Sequence, residues 1–351
     1  MITIGVDFSR RSSVYSVLDK EGNKIKRSKL ENKPELINGF FNDLPEGPKQ
    51  LTMEAGRSWG LYYEAVKDHV DVFRLAHPAK MRAITSSETK NDANDADMIA
   101  KLTYSGFLPK AHITSLGTRQ LRSLVRFRYF WVRKRTALRC QVQTLLDRNL
   151  WPSERPGSFK NPFCKKGQKW MATLNLAPTE RFILNQCVDT YKTTSRDIAQ
   201  LETLIGESTQ NLEGLEYLRT VPGFRTSKVH IYTVLLETDD ITRFRKARHF
   251  AHYAGLIPRE YSSGERHITG RLVKGANQFL KTAIIEATWS ALLGDKALKS
   301  YYLSVKTRRG TGPAIIATAR KLSYAIYHVL KDRTTYRPVA PTTAPVGTDL
   351  S

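Results

Sequence analysis

The sequence predicts an α/β domain followed by a mainly helical region. Apolar and polar residues alternate near the N-terminus, and apolar residues then recur at three- and four-residue steps over a long central stretch and again towards the C-terminus. A length of 351 residues suggests two domains with connecting material. We expect an α/β domain at residues 1–108, a helical arm at 109–210, a mainly helical domain at 211–335 and a disordered tail at 336–351.

The N-terminal domain begins as a three-stranded meander. Ile2, Ile4 and Val6 alternate with small or polar residues, so one face of a first strand is apolar. Two further strands enclose a glycine-containing turn, at residues 14–18 and 24–30. The next strands alternate with helices, which indicates a mixed sheet flanked by helices. These elements are strands at 50–54 and 70–75 and helices at 34–42, 58–69 and 92–105.

Two long helices follow the first domain. The apolar periodicity predicts one helix over residues 115–150 and another over 179–206, with a break rich in Pro, Gly and Lys between them. Two long helices joined by a loop are typical of an antiparallel coiled-coil arm. Such an arm could serve for dimerisation or for bracing a nucleic acid.

The charge of the chain points to a polyanionic partner. Lys and Arg number 56 against 33 Asp and Glu, a formal net charge of +23, so nucleic acid is the first candidate and an anionic membrane surface the second. No stretch approaches the roughly 20 apolar residues of a spanning helix. The N-terminus lacks a signal-peptide layout, and the three cysteines form neither a disulfide framework nor a zinc motif, so we expect a cytoplasmic protein without a membrane partner.

Four carboxylates are candidates for a metal site. Asp7 and Glu54 end predicted strands, and Asp92 and Asp95 share one face at the start of a helix. Each alone could be a turn former or could complement the helix dipole. Together they would repel one another unless hard divalent ions such as Mg²⁺ (or Mn²⁺) were bound, as in RNase H-like nucleases. We expect Asp97 to lie on another face, in solvent.

A second candidate site lies in residues 250–277. Ser262 and Ser263 precede a glycine, a pattern typical of turns that could also present a hydroxyl nucleophile on a loop. The flanking basic residues either contact phosphate or form a solvated basic loop. They are Arg266, His267, Arg271 and Lys274.

Arginines and aromatic residues are interleaved along the first long helix. We predict nucleic-acid contacts for Arg122, Arg126, Arg133 and Arg135, because arginine beside aromatic rings suits RNA or single strands. The aromatic residues could instead belong to a coiled-coil core, and for Trp131 we expect this packing role.

Six stretches of the sequence together resemble one family. They are residues 4–7 (IGVD), 53–56 (MEAG), 91–100 (NDANDADMIA), 221–224 (VPGF), 250–277 and 319–322 (ARKL). The chain is similar, over nearly its whole length and in the expected order, to the DEDD insertion-sequence transposases related to the Piv DNA invertases. This is the IS one-ten (IS110) family, whose recombinases use a bridge RNA.

The resemblance implies a fold and a mechanism. The first domain would be a RuvC-like RNase H fold holding metal with Asp7, Glu54, Asp92 and Asp95, and Ser263 would attack a phosphodiester to give a covalent phosphoserine. The partners would be donor and target DNA and a non-coding bridge RNA. A homo-dimer assembling to a tetramer would join the two halves of the site across protomers, at the nucleoid of a bacterium or archaeon.

Two positions leave alternatives open. The family's Pro-Gly-Ile-Gly motif, resembling a helix-hairpin-helix phosphate clamp, continues here as Phe224-Arg225, so the hairpin geometry is in doubt although Arg225 could itself contact a phosphate. Ser262 adjoins Ser263 and remains a second candidate nucleophile. The competing functions are a RuvC-like structure-selective endonuclease that uses water, a DNA invertase without an RNA guide, and a non-enzymatic basic nucleic-acid-binding protein.

Overall fold

The chain forms two compact units, Met1–Leu116 and Gly117–Ser351. The computed structural model describes residues 1–78, 80–81, 92–225, 228–263, 266–273 and 275–338. For residues 92, 93, 152, 260–263 and 266–269 it describes the backbone alone. The helical arm predicted at residues 109–210 falls almost wholly within the second unit, and its boundary at residue 210 stays a prediction.

The first unit is built on a six-stranded mixed sheet with the strand order β3-β2-β1-β4-β5-β6. Its strands are β1 (Ile2–Phe8), β2 (Ser12–Leu18), β3 (Lys24–Glu31), β4 (Lys49–Glu54), β5 (Val72–Ala76) and β6 (Lys110–Ala111). β1 pairs antiparallel with β2 and parallel with β4, which also pairs parallel with β5. Its helices are α1 (Pro34–Asn42), α2 (Trp59–Val66) and α3 (Asp92–Tyr104). The predicted mixed α/β sheet is therefore confirmed.

Both faces of the central strand β1 are covered. Ile2, Ile4 and Val6 pack in one apolar core with residues of α1 and α2, including Phe40 and Tyr62. The opposite face of β1, which carries the alternate residues, lies against α3. Since β1 is buried between two helical layers, its carboxyl end is fixed in position.

The second unit begins with two long helices, α4 (Leu116–Asn149) and α6 (Pro178–Ser208), which confirms the helices predicted over residues 115–150 and 179–206. The predicted break between them also contains a helix, α5 (Lys165–Thr173). This helix forms because Met171 packs against Leu145 and Leu184 in a small core at the far end of the pair. At the other end, Val125 and Ile205 enter the main core of the unit. The coiled-coil arm itself stays a prediction.

The rest of the second unit is mainly helical, as expected. Its elements are α7 (Leu215–Leu218), α8 (Lys228–Thr238), α9 (Ala247–Tyr253), α10 (Gln278–Gly294), α11 (Lys296–Arg309) and α12 (Thr311–Lys331), with the strands β7 (Pro258–Ser263) and β8 (Arg266–Leu272). β7 and β8 form a two-stranded antiparallel sheet where we expected a loop. In the part of the chain that the structure describes, no helix is both long and apolar enough to span a membrane.

Candidate active site

Asp7 and Glu54 lie at the carboxyl ends of neighbouring parallel strands. The register of β1 and β4 pairs Gly5 with Thr52 and Val6 with Met53, so the next step along both strands brings Asp7 beside Glu54. Adjacent strands are about 4.8 Å apart, and partners in a parallel pair point to the same face of the sheet. Asp7 and Glu54 therefore share the face on which Gly5 lies.

Helix α3 is in close contact with that face at Gly5. A Cβ atom on residue 5 would overlap the carbonyl oxygen of Ala96 and the amide nitrogen of Ala100, so the approach of backbone to backbone requires glycine. Ala96 and Ala100 are one helical turn apart and both fully buried. Three small residues thus let the helix lie directly on the strand that carries Asp7.

The start of α3 points towards the carboxyl edge of the sheet. Its last residue, Tyr104, lies against Gly22 in the β2–β3 turn, where a Cβ would be 2.8 Å from the tyrosine ring, and this turn is at the edge where β1 begins. Position 92 precedes Ala96 by one turn, about 6 Å along the helix axis. Asp7 lies two residues beyond Gly5, about 6.6 Å along the strand. Positions 92 and 7 are therefore at nearly the same level.

The candidate side chains at this edge carry carboxylate oxygen atoms. Glu54 is exposed, Asp7 and Asp95 are half-buried, and the side chain of Asp92 lies outside the described atoms. Among the described side chains, no group of three or more His, Cys, Asp or Glu residues lies close enough to hold a metal ion. Asp7, Glu54 and Asp95 are among these described side chains, so the three do not form such a group by themselves. The backbone places Asp7 beside Glu54, and the metal-binding tetrad stays a prediction.

Asp97 is not in solvent, so our expectation for it was wrong. It forms ion pairs with Lys24 and Arg27 of β3, and only 14% of its side chain is exposed. Burial opposes ionisation of Asp97, but the hydrogen bonds from Lys24 and Arg27 outweigh it and lower the pKa of the carboxyl group. Asp97 therefore connects α3 to β3, the outer strand of the meander, through these two ion pairs.

The candidate nucleophiles lie at the end of β7. Ser262 pairs with His267 and Ser263 with Arg266 in the register of the hairpin. Arg271 is exposed on β8, Arg266 is described by its backbone alone, and Lys274 lies outside the described residues. We predicted a loop because the polar run Tyr-Ser-Ser-Gly is typical of turns, whereas the two strands form by pairing with each other.

A buried glutamate on α8, which sequence reasoning missed, links the two ends of the segment that contains this hairpin. Glu237 is 1% exposed and accepts hydrogen bonds from Nε and Nη2 of Arg126, both at 2.7 Å, and from Nδ2 of Asn277 at 2.8 Å. The amide of Asn277 donates to the carbonyl oxygen of Tyr253 at 3.0 Å, and its side chain donates to the Tyr253 hydroxyl at 3.1 Å. Tyr253 and Asn277 flank the hairpin, so this network closes its base.

Arg122 and Arg126 make contacts within the protein, and the nucleic-acid contacts that we predicted for them stay predictions. Arg122 donates from Nε and Nη2 to the carbonyl oxygen of Leu236 at 3.0 and 2.6 Å, and lies 3.6 Å from Glu237. Burial lowers the pKa of Arg122, and the charge of Glu237 only partly offsets this. Arg126 is half-exposed but carries the bidentate pair with Glu237. A lone glutamate directly after the largely apolar run 231–236 of α8 was the available signal for both contacts.

Helix α4 also carries a partly exposed aromatic group. Phe127 and Phe130 are 48% and 45% exposed, and Trp131 is half-buried against both rings, with centroids 5.9 and 5.5 Å away. Trp131 belongs to none of the described core clusters, and its expected place in a coiled-coil core stays a prediction. Arg133 is exposed, with its guanidinium 5.7 Å from the ring of Phe279, and Arg135 is half-buried.

Arg225 is exposed beside a tight turn. Gly223 has a φ of +97°, and a Cβ there would overlap the carbonyl oxygen of Ala287 on α10. The turn is therefore closely packed on α10, and the replacement of the family's second glycine by arginine leaves residue 225 at the surface.

Comparison with known proteins gives two family matches. Residues 4–150 match a model for the DEDD transposase domain of the IS110 type, and residues 215–303 match one described as the transposase IS116/IS110/IS902 family. A probable family 20 transposase of Pseudomonas aeruginosa is 24% identical over 339 residues, which are 95% of this chain and 98% of that protein. The transposase for insertion sequence element IS1111A of Coxiella burnetii is 24% identical over 75% of this chain and 72% of its own length.

Proposed function

We propose that the chain is a transposase of the IS110 family, whose models match two of its stretches, and that it cleaves and rejoins DNA through a serine nucleophile and a metal-binding carboxylate tetrad. The observation that carries this proposal is the shared level of Asp7, Glu54 and the start of α3 at one edge of the sheet. We propose an RNase H-like fold for the first unit, supported by its mixed sheet with carboxylates at adjacent strand ends.

The residues at this edge fit a hard divalent ion. Asp7, Glu54, Asp92 and Asp95 would offer carboxylate oxygens, the ligands that Mg²⁺ and Mn²⁺ prefer. When bound, such ions would neutralise charge on the phosphate oxygens and favour the ionised form of an attacking hydroxyl. The strands and α3 would hold the carboxylates in place before DNA arrives, so little reorganisation would be needed.

Ser263 would act as the nucleophile. Its Oγ attacks the phosphorus of a phosphodiester, an Oγ–P ester bond forms, and the bond from phosphorus to one deoxyribose oxygen breaks. The leaving oxygen takes up a proton in place of the one that the serine loses. Because the serine–phosphate ester retains the energy of the phosphodiester bond that was broken, a deoxyribose hydroxyl of another strand can attack it and release the serine with no external energy source.

A bridge RNA would be the guide for donor and target DNA. Support comes from the exposed aromatic group of α4, with Lys134 over the ring of Phe130, because exposed rings and neighbouring cations bind unpaired bases and phosphates together. The net charge of +23 also calls for a polyanionic partner.

The experiment is to trap the covalent intermediate. Full-length protein, with the RNA that copurifies with it, is incubated with labelled DNA carrying the insertion-sequence ends and with Mg²⁺, and products are separated on a denaturing gel. We expect a protein–DNA adduct for the wild type and for Ser262→Ala, and none for Ser263→Ala. Asp7→Asn should bind DNA but form no adduct, because it removes a carboxylate from the tetrad.

Each alternative has its own signature in this assay. An adduct that persists in Ser263→Ala and disappears in Ser262→Ala moves the nucleophile to the neighbouring residue. DNA cut by the wild type without any adduct overturns the serine mechanism and leaves a nuclease that uses water. Recombination that survives digestion of the copurified RNA overturns the RNA guide and favours a DNA invertase.

A further inference from the structure

Three exposed arginines lie in the two loops that leave the carboxylate edge of the first unit. Arg10 and Arg11 follow β1 in the turn that leads into β2, and Arg57 follows β4 in the segment that leads into α2. Since β1 and β4 are adjacent, these two loops are neighbours at the same edge of the sheet. Asp7 is three residues before Arg10, and Glu54 is three residues before Arg57.

We propose that Arg10, Arg11 and Arg57, here called the arginine rim, bind the backbone phosphates of the DNA strand that is cut, on either side of the scissile phosphate. This inference rests on the proposed function, because it assigns the DNA contacts of the same site. It adds residues that neither the carboxylate tetrad nor the serine hairpin includes.

Charge balance supports this assignment. The carboxylates at the edge repel a DNA strand, and a metal ion would offset that repulsion only close to itself. The neighbouring phosphates of the same strand follow at about 3.4 Å of duplex axis each, so they need their own cations. Arginine supplies a fixed positive charge with a fork of donors that matches phosphate oxygens.

The turn that presents Arg10 and Arg11 is held by hydrogen bonds. The Ser9 hydroxyl donates to the carbonyl oxygen of Ser12 at 2.6 Å, and the Ser9 amide donates to the same oxygen at 3.1 Å. Asn32 donates from Nδ2 to the carbonyl oxygen of Ser9 at 2.8 Å and from its amide to that of Arg11 at 2.9 Å. The backbone of the turn is therefore fixed, while the two arginine side chains stay exposed.

The rim side chains are available for DNA. Among the described residues, the ion pairs of the first unit involve other cations, including Lys24, Arg27 and Lys33. Arg10, Arg11 and Arg57 take no part in the ion pairs of these residues. Contacts from such a rim would be made to phosphates and would carry no sequence information.

The test is salt-dependent binding of full-length protein to duplex DNA, in the Ser263→Ala background so that the DNA stays intact. The rim variant Arg10→Ala/Arg11→Ala/Arg57→Ala removes three positive charges. The control Lys20→Ala/Lys49→Ala/Lys101→Ala removes the same charge at the opposite edge of the sheet and in the last turn of α3. We expect the slope of log K against log salt to fall in magnitude by about 2.7 for the rim variant and by less than about 1 for the control.

Because of this change of slope, the ratio of the wild-type DNA affinity to that of the rim variant should fall about 40-fold when the salt concentration rises from 50 to 200 mM. The loss should be equal for DNAs of unrelated sequence. Asn32→Ala, which frees the turn without removing a charge, should give a smaller loss of affinity in the same direction. If the rim and control variants have the same affinity and the same slope, the proposal that the arginine rim binds phosphates is wrong. If the wild type itself shows no salt-dependent binding, the proposed function fails as well.

Discussion

The two units fix their candidate catalytic groups by different means. In the first unit, the main chain does so: Asp7 and Glu54 end adjacent strands, and α3 lies on Gly5. In the second unit, the strands that carry Ser263 pair only with each other, and the base of their hairpin is closed by side chains around the buried Glu237. A site placed by backbone register depends on close contacts of the main chain, whereas a site placed by a buried charge depends on every member of its side-chain network.

The largest effect should follow from breaking that network with Glu237→Ala. The substitution leaves the Arg126 guanidinium and the Asn277 amide without their buried acceptor, and we expect a loss of about 3–5 kcal/mol in the free energy of unfolding of the second unit. Chemical denaturation, monitored by hydrogen exchange, would measure the free energy of unfolding of each unit separately. The first unit should keep its stability.

A matched control is Glu213→Ala. Glu213 also pairs with an arginine, Arg333, but both side chains are exposed, so its removal should cost less than about 1 kcal/mol. Equal losses for Glu213→Ala and Glu237→Ala would show that burial of the charge does not matter here. The contrast between the two units would then disappear.

The complementary change in the first unit is Gly5→Ala. The added methyl group meets backbone atoms of Ala96 and Ala100, which cannot rotate away, so α3 must shift. We expect a loss of about 1–3 kcal/mol in the free energy of unfolding. Metal-dependent DNA cleavage should fall by more than about tenfold, because α3 carries Asp92 and Asp95 and positioning errors near 1 Å have costs of that order.

Gly39→Ala is the control for this change. No atom lies within 4 Å of the position that its Cβ would take, and it is within helix α1, so alanine should stabilise the first unit by about 0.5–1 kcal/mol. If Gly5→Ala keeps full cleavage activity, the close packing of α3 on Gly5 is not what positions the tetrad.

The backbone of the first candidate site could be predicted from the sequence better than that of the second, for a physical reason. Alternation in β1 and the strand that ends at Glu54 are local patterns, and the parallel pairing of the two strands follows from their order. The contacts of Arg126 with Glu237 join residues 111 apart, and nothing in the local pattern of α4 indicates them. The contacts of Arg122 and Asp97 were missed for the same reason, since helical periodicity shows which residues share a face but not which residues pack against that face.

A smaller effect, also confined to the second unit, should come from His230 on α8. Burial, reinforced by the charge of Arg128, lowers the pKa of His230 to about 4 from 6.5. The unfolded chain therefore binds a proton between pH 6.5 and 4 while the folded one does not, so this contribution is fully present above pH 6.5 and is lost as the pH falls towards 4. Allowing for partial exposure, we expect a decline of about 2 kcal/mol.

His230→Gln should remove that decline, because glutamine does not titrate, whereas His252→Gln, at an exposed position on α9, should leave it in place. Unfolding free energies of the second unit measured between pH 7 and 4 would separate the two variants. The first unit serves as the internal reference, because His230 is not part of it. A decline that survives in His230→Gln would mean that other groups set the acid sensitivity of the unit, and the buried polar contacts of α8 would then be confined to the network of Glu237.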